Sequence, residues 1–432
     1  MKCIRLAHQV ARASVAGSLL AVLAAPAAAI DLKTPDGAWT FSFDGNVNVD
    51  YIFSKCQSVT SAAAVDGGLT CVGSASGSNV SNIGNGLLPA AFTFGVSTTQ
   101  DGIDLSAHLG LFPGIATNDG GSPNLQSNSG NGSSNTALGT TGLDIRQVYL
   151  TFGNKDMGTF TLGRNIGLFG ADAILNDMTL PGVGAPGSAA SAAPSNTTLG
   201  GIGFGYIYTD WLAQIDYTTP DIQGFNATVG IFDPVNSLTD AGTVEPKKAP
   251  GFHAKLAYTM PIAAGNKLYL SASLLSQQQY WVDPAGASYS YTGTGVDVFA
   301  KWDLQDLELI GYYYHGDGLG TTALFNLGAF GDGNTRTSDG YFAQATYKFG
   351  QLKLGVNYGE SKLDFANAAD RAANPFLLDN NRKVTVGAYY QLTKNLTLLG
   401  EFSNVQSKAQ TSGINGDSNS ANTFNIGAYL GF

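Results

Sequence analysis

Apolar and small polar residues alternate with a period of two along most of this chain. No stretch is uniformly apolar for the roughly 18 residues that a membrane-spanning helix requires. Trp39, Phe41, Phe43, Val47, Val49 and Tyr51 alternate with Ser42, Asp44, Asn46, Asn48 and Asp50. Leu105, Ala107, Leu109 and Leu111 interleave with Asp104, Ser106, His108 and Gly110. Val296, Val298, Ala300, Trp302 and Leu304 stand against Asp297, Lys301 and Asp303, and Phe424, Ile426, Ala428, Leu430 and Phe432 against Asn425, Gly427, Tyr429 and Gly431. Each segment reads as a strand with one apolar and one small-polar face. The connections constrain the fold further. Short turns near 100–102, 154–157, 220–224, 261–266, 305–306, 350 and 393–395 alternate with Gly-, Ser- and Asn-rich stretches at 55–88, 114–142, 166–200, 233–250, 283–291, 316–338, 364–382 and 407–421. Seven short and eight long connections separate sixteen strands. Short turns on one rim and long loops on the other predict an all-β transmembrane barrel, antiparallel and closed. Closure is required because lipid offers a free sheet edge no hydrogen-bond partner. A soluble sandwich or secreted adhesin would not alternate its loop lengths in this way.

Composition agrees with that reading. Only 12% of the 432 residues are charged, while 44% are hydrophobic and 56 are Gly. A soluble domain carries about 25% charge, but a charged side chain facing lipid at mid-depth costs about 2–4 kcal/mol. Disorder and coiled coils need far more charge than this. A net charge of −10 argues against a nucleic-acid partner, which requires Lys and Arg to neutralise phosphates. A barrel of sixteen strands encloses an aqueous channel that side chains cannot fill, so the polar face is expected to line it.

Residues 1–29 carry Lys2, Arg5 and Arg12, an apolar run from Ala13 to Leu23, and Pro26-Ala27-Ala28-Ala29. A basic start, a short apolar run and an Ala-x-Ala site predict a cleaved secretory signal, leaving 30–432 as the barrel. Its removal takes three basic and no acidic residues, turning −10 into −13. Export places Cys56 and Cys71 in an oxidising compartment, where they are expected to form a disulfide across a Gly- and Ser-rich loop. No metal or cofactor is expected, since the cysteines have no further ligands nearby.

The segment RQVYLTFGNKDMGTFTLGRNIGLFGADAILNDMTLPGVG (Arg146–Gly184) resembles the trimeric general porins of Gram-negative bacteria. Gly163–Asn165 (GRN) and Asp177–Pro181 (D-M-x-L-P) carry most of the likeness. Ile215–Phe225 resembles the turn between that family's sixth and seventh strands, and the terminal YLGF, ending on Phe432, resembles the aromatic signal read by the outer-membrane assembly machinery. The resemblance covers about a quarter of the chain by its motifs. It implies a homotrimer in the outer membrane, embedded in lipid, with a third loop folded into the lumen. In that family, acids on this loop face bases on the wall.

Here the loop would be 166–200, its acids Asp172 and Asp177, and its facing bases Arg146, Arg164, Lys255 and His253. Arg146 shares parity with Val148, Leu150 and Phe152, which calls for a β-bulge or for apolar residues packed beneath the loop. The departures are informative. Gly182 and Val183 stand after Pro181 where the family has an acid and an aromatic, and the wall positions that carry arginines fall near Ala91 and Asp210. With Asp44, Asp50 and Asp210 toward the lumen, the expected channel passes small hydrophilic solutes by diffusion, with a mild cation preference. A substrate-specific channel is the alternative, with Tyr312, Tyr313 and Tyr314 as a sliding surface for a sugar or aromatic solute. A non-conducting adhesin barrel or a barrel enzyme ranks lower. His108, His253 and His315 stand apart, with no third group to orient any of them for catalysis. The Gly-rich GVGAPG lacks the Lys of a phosphate loop.

Overall fold

The computed structural model describes residues 30–59, 65–71, 77–115, 143–186, 197–235, 247–263, 265–282, 286–411 and 418–432. The signal-like segment 1–29 lies outside the described residues, and so does the expectation that it is cleaved. In chain order the strands are β1 (Ile30–Lys33), β2 (Trp39–Val59), β3 (Asn79–Gly84), β4 (Ala91–Gln100), β5 (Ile103–Pro113), β6 (Leu143–Asn154), β7 (Gly158–Ile166), β8 (Trp211–Thr218), β9 (Phe225–Phe232), β10 (Gly251–Ala263), β11 (Asn266–Val282), β12 (Ser288–Leu304), β13 (Leu307–Asp317), β14 (Thr337–Phe349), β15 (Leu352–Leu363), β16 (Leu378–Gln391), β17 (Leu396–Ala409) and β18 (Ser418–Gly431). Two short helices, α1 (Ala171–Asn176) and α2 (Ala368–Ala373), lie in connections.

Sixteen strands, β2 and β4 to β18, pair antiparallel in sequence order, and β18 closes the ring on β2 from Asn419↔Val59 to Gly431↔Asn46. The two strands outside this count extend it. β1 pairs with Thr40–Phe43 of β2 and continues the line of β18, while β3 pairs with Asp50–Lys55 above the end of β4. At the seam Phe432 and Gly45 exchange backbone hydrogen bonds of 2.9 and 3.0 Å, and the Phe432 ring packs 5.4 Å from Phe43 and 5.9 Å from Phe92. The terminal aromatic therefore rivets the place where the barrel closes.

All seven short turns fall where the pattern puts them, but several long connections differ in extent. The β11–β12 hairpin runs on to Val282 and Ser288, shortening the expected 283–291 loop, and the connection after β7 continues to residue 210 instead of 200. The two faces are inverted relative to a soluble protein. Ile426 is 57% exposed beside Asn425 at 1%, and Val296 is 54% exposed beside Asp297 at 4%. In a closed barrel the exposed apolar set faces outward and the polar set inward.

The parity problem at Arg146 has a local cause. Between β5 and β6 the register passes from Gly110↔Gln147 to Leu111↔Ile145, skipping Arg146. This bulge brings two consecutive side chains, Arg146 and Gln147, to the buried face. A sizeable apolar core also lies on the inward side. Phe169, Ala173, Ile174, Leu180, Tyr206 and Ile207 of the β7–β8 connection pack with Leu275, Phe299, Ile310, Tyr312, Tyr314 and Phe342 of the wall.

Candidate functional site

The β7–β8 connection, residues 167–210, holds the loop acids. It turns into α1 through Gly170, whose φ of 76° suits glycine and whose missing Cβ leaves room for the Ile207 carbonyl. Its amide donates to Asp297 Oδ2 at 2.7 Å, so a wall carboxylate sits at the start of the helix. Ala173 and Ile174 turn into the apolar core, which leaves Asp172 toward β10 and β11. There Lys255 Nζ lies 2.6 Å from Asp172 Oδ2, and the Tyr269 hydroxyl donates to the same oxygen at 3.1 Å. Lys301 donates to Asn176 Oδ1 at 3.2 Å, and Gln344 both accepts from the Met178 amide (2.7 Å) and donates to the Asn176 carbonyl (2.9 Å).

Past α1 the segment reaches β15 to β17. Asp177 accepts from the Thr179 amide (2.9 Å) and hydroxyl (2.8 Å), the Tyr206 hydroxyl (2.8 Å) and Asn357 Nδ2 (3.1 Å). The Val183 and Gly184 amides each donate to Glu401 Oε2 at 2.9 Å, and the Tyr389 hydroxyl donates to Oε1 at 2.6 Å. Glu401 thus puts a wall carboxylate where the loop itself lacks one after Pro181. The exchange depends on Gly182, because a Cβ there would collide with the Glu401 carboxylate. On the other side Leu87 and Leu88 donate to the carbonyls of Gly182 (2.7 Å) and Leu180 (2.9 Å). Asn48 of β2 holds this 85–88 stretch in turn, accepting from the Gly86 amide (2.9 Å) and donating to the Leu88 carbonyl (2.8 Å).

The residues singled out by sequence separate into groups. Asp172, Lys255, Asp177 and His253 come together around 167–210. His253 is 1% exposed and stacked 4.0 Å from Phe232, and the Leu168 amide lies 3.5 Å from its Nδ1. Arg146 lies near the far end of the segment, bound 3.0 Å from Asp144, 5.4 Å over the Phe112 ring and attracting Asp210. Arg164 pairs in register with Val148 and Ala213, both exposed, yet its Nε is buried and its charge attracts Asp210 at the end of the segment. Asp44 accepts from the Thr93 hydroxyl, and Asp50 accepts from Asn425 Nδ2 at 3.0 Å. Asp210 has a φ of 60° and takes the Trp211 amide at 2.6 Å as the chain enters β8. Tyr312 and Tyr314 are 5% and 0% exposed beneath the connection, whereas Tyr313 is 45% exposed on the outward face and donates to Asp339 at 2.6 Å. The three tyrosines therefore form no continuous sliding surface.

Cys56 and Cys71 form the expected disulfide, with Cα atoms 5.4 Å apart. Between them residues 65–71 cross to the inward side of β16 and β17. The amides of Leu69 and Thr70 donate to Ser407 Oγ at 3.0 and 3.1 Å, and Asn381 Nδ2 donates to the Gly67 carbonyl at 3.2 Å. Glu401, Asp297 and Lys383 escaped the sequence reading. Each is a charge at polar parity in mid-strand, and that was the available signal.

A family model for Gram-negative porins matches residues 15–410. The chain belongs to the Gram-negative porin family. Its porin fold is shared with solved channels. The outer membrane channel DcaP of Acinetobacter baumannii superposes with a TM-score of 0.65 at 17% identity, covering 93% of this chain and 99% of that one. The anion-selective porin from Comamonas acidovorans gives 0.58 at 15% identity, covering 91% and 100%. Salmonella typhi OmpF, in complex with daunomycin, gives 0.54 at 12% identity, covering 93% and 100%. At these identities the likeness is one of fold. No curated protein matches the sequence. This porin is an outer-membrane channel protein and not an enzyme.

Proposed function

We propose that this porin passes small hydrophilic solutes and ions by passive diffusion, with a mild preference for cations, and that segment 167–210 crosses the lumen and sets its narrowest point. The observation that carries the reading is the set of hydrogen bonds from this segment to polar-face side chains of β10 to β17. The opposite wall supports it. There Ser106, His108, Tyr149, Thr151, Thr161 and Asn165 keep partial exposure, a hydroxyl- and ring-rich surface in place of a ladder of bases. Passage is then decided by size and wall charge.

The charge balance favours cations. Asp172 neutralises Lys255, and Asp144 and Asp210 offset Arg146 and Arg164, while Asp44 and Asp50 have uncharged hydrogen-bond partners. A planar bilayer with a salt gradient tests this. The reversal potential should carry the sign of cation preference, and an anion-selective potential would reject it. Liposome swelling tests the mode of transport. Rates should fall smoothly with solute size, whereas one sugar or aromatic solute far above that trend would favour a specific channel.

The working form is a homotrimer in outer-membrane lipid, assembled by the outer-membrane machinery acting on the Phe432 terminus. Export uses a leader removed after Ala29. N-terminal sequencing of the membrane form should begin at Ile30.

A further inference from the structure

Lys383 is an inward side chain of β16 with 0% exposure, and its Nζ has no hydrogen-bond partner among the described residues. A buried ammonium is costly unless opposite charge compensates it. Burial works against its charge, and two carboxylates, Asp177 of segment 167–210 and Glu401 of β17, attract it against that cost. The register explains how one cation serves both. Lys383 lies opposite Gly359 and Val405, the next inward pair along is Thr385 with Asn357 and Ser403, and the one after is Gly387 with Glu401. Asn357 fixes Asp177 at the middle level, where Thr385 and Ser403 share a hydrogen bond of 2.7 Å. Asp177 and Glu401 are 0% and 2% exposed. Their direct hydrogen-bond donors are all uncharged: Thr179, Tyr206 and Asn357 for Asp177, and Tyr389 with two backbone amides for Glu401.

Both carboxylates bear on one stretch of chain. Asp177 belongs to the tip of segment 167–210, and Glu401 grips that tip through Val183 and Gly184. Without the ammonium, both buried carboxylates would lose the cation that attracts them, and the tip they hold would sit less firmly on the wall. We propose that Lys383 is a positioning residue that seats this tip by compensating Asp177 and Glu401 together, and so sets the conductance and stability of the open pore. This rests on the reading above that segment 167–210 narrows the lumen. The other charged groups facing Glu401 are Lys353 of β15, which also attracts it, and Asp50 of β2, which repels it.

The test is single-channel conductance in planar bilayers for wild type, Lys383→Met, Lys383→Arg and the double variant Lys383→Met/Glu401→Gln. Folding is checked by heat-modifiable migration on gels. Lys383→Met should change conductance by about 1.5-fold or more and add open-channel noise at neutral pH. Lys383→Arg should stay close to wild type, because it keeps the charge. The double variant should move back toward wild type, because one of the two uncompensated charges is gone. Lowering the pH toward about 4, where ordinary carboxylates begin to protonate, should quieten Lys383→Met and leave wild type little changed. If Lys383→Met does not fold, recovery of folding in the double variant supports the same conclusion. Wild-type conductance and noise in Lys383→Met at every pH would overturn the proposal while leaving the channel intact. Failure of the double variant to improve on the single one would overturn it as well, since Lys383 would then act through its bulk. A wild-type protein that folds but does not conduct would reject the channel reading itself.

Discussion

Arg336 and Asp370 bind each other through two hydrogen bonds, Nε to Oδ2 and Nη2 to Oδ1, both 2.7 Å, with exposures of 4% and 0%. They join the connection before β14 to helix α2 in the connection after β15. Asn367 caps that helix by accepting from the Asp370 amide at 2.9 Å. Burial pushes the Asp370 carboxyl up, but the Arg336 guanidinium, the Ala366 amide and the Asn374 side chain outweigh it and hold the group below its usual value. A carboxyl depressed in the folded state contributes stability at neutral pH and loses it only as pH falls through the depressed value. These two connections should therefore stay closed to protease down through the ordinary carboxylate range near pH 4 and open only below it. Asp370→Asn should open them at neutral pH, because removing one partner of a buried pair costs about 3–5 kcal/mol. Limited proteolysis by an acid-tolerant protease, with cleavage mapped to 318–336 and 364–377, reads both effects. Nothing in the sequence pointed to this pair. The partners lie 34 positions apart in two aperiodic loops, and only the tertiary fold brings them together.

Among the elements, strands were easier to read than what lies between them. Alternation located the barrel strands because lipid on one side and polar surroundings on the other impose a strict period. The same rule exposed Arg146 as an exception, and the bulge opposite Gly110 accounts for it. The end of the β7–β8 connection was missed for a physical reason. Residues 197–210 include Leu199, Ile202, Phe204, Tyr206 and Ile207, spaced without strand periodicity. They fill an apolar core on the inward side, which a lumen occupied only by water does not call for. The 65–71 strap was hidden likewise, although its disulfide was legible. Cys56 and Cys71 cluster with Ala185 and Phe204 of the β7–β8 connection and with Val405 and Ala421 of the wall, so the staple fastens the strap against that connection. The Cys56→Ser/Cys71→Ser variant should still form the barrel. It should lose about 3 kcal/mol, the chain-entropy value for a loop of this size, read as easier heat unfolding on gels and as new cleavage within 57–71. Unchanged protease resistance there would mean that the hydrogen bonds to Asn381 and Ser407 hold the strap without the disulfide.

The outside of the whole molecule differs from one side to the other. On β13 to β16 the exposed set includes Tyr313, Tyr341, Tyr347 and Tyr390, interspersed with Leu309, Leu354, Val356, Val384 and Val386. Tyrosines at both ends of an apolar band mark the level of lipid headgroups. On β4 to β7 the exposed large residues are Phe94, Leu109, Leu143, Ile145, Val148 and Leu150, and no outward Tyr is found among the described residues. An apolar sheet face without outward Tyr suits contact with another protein surface better than contact with lipid. The proposed trimer therefore buries β4 to β7 around its axis and turns β13 to β16 to the membrane. Single cysteines at Leu109 and Val356, labelled with a fluorophore and reconstituted in brominated lipid, separate the two sides, because the native cysteines are tied up with each other. The label on Val356→Cys should be strongly quenched and that on Leu109→Cys weakly. Dissociating the trimer in brominated detergent should bring the second up to the first. Equal quenching in intact membranes would place both faces in lipid and reject this arrangement, whatever the channel conducts.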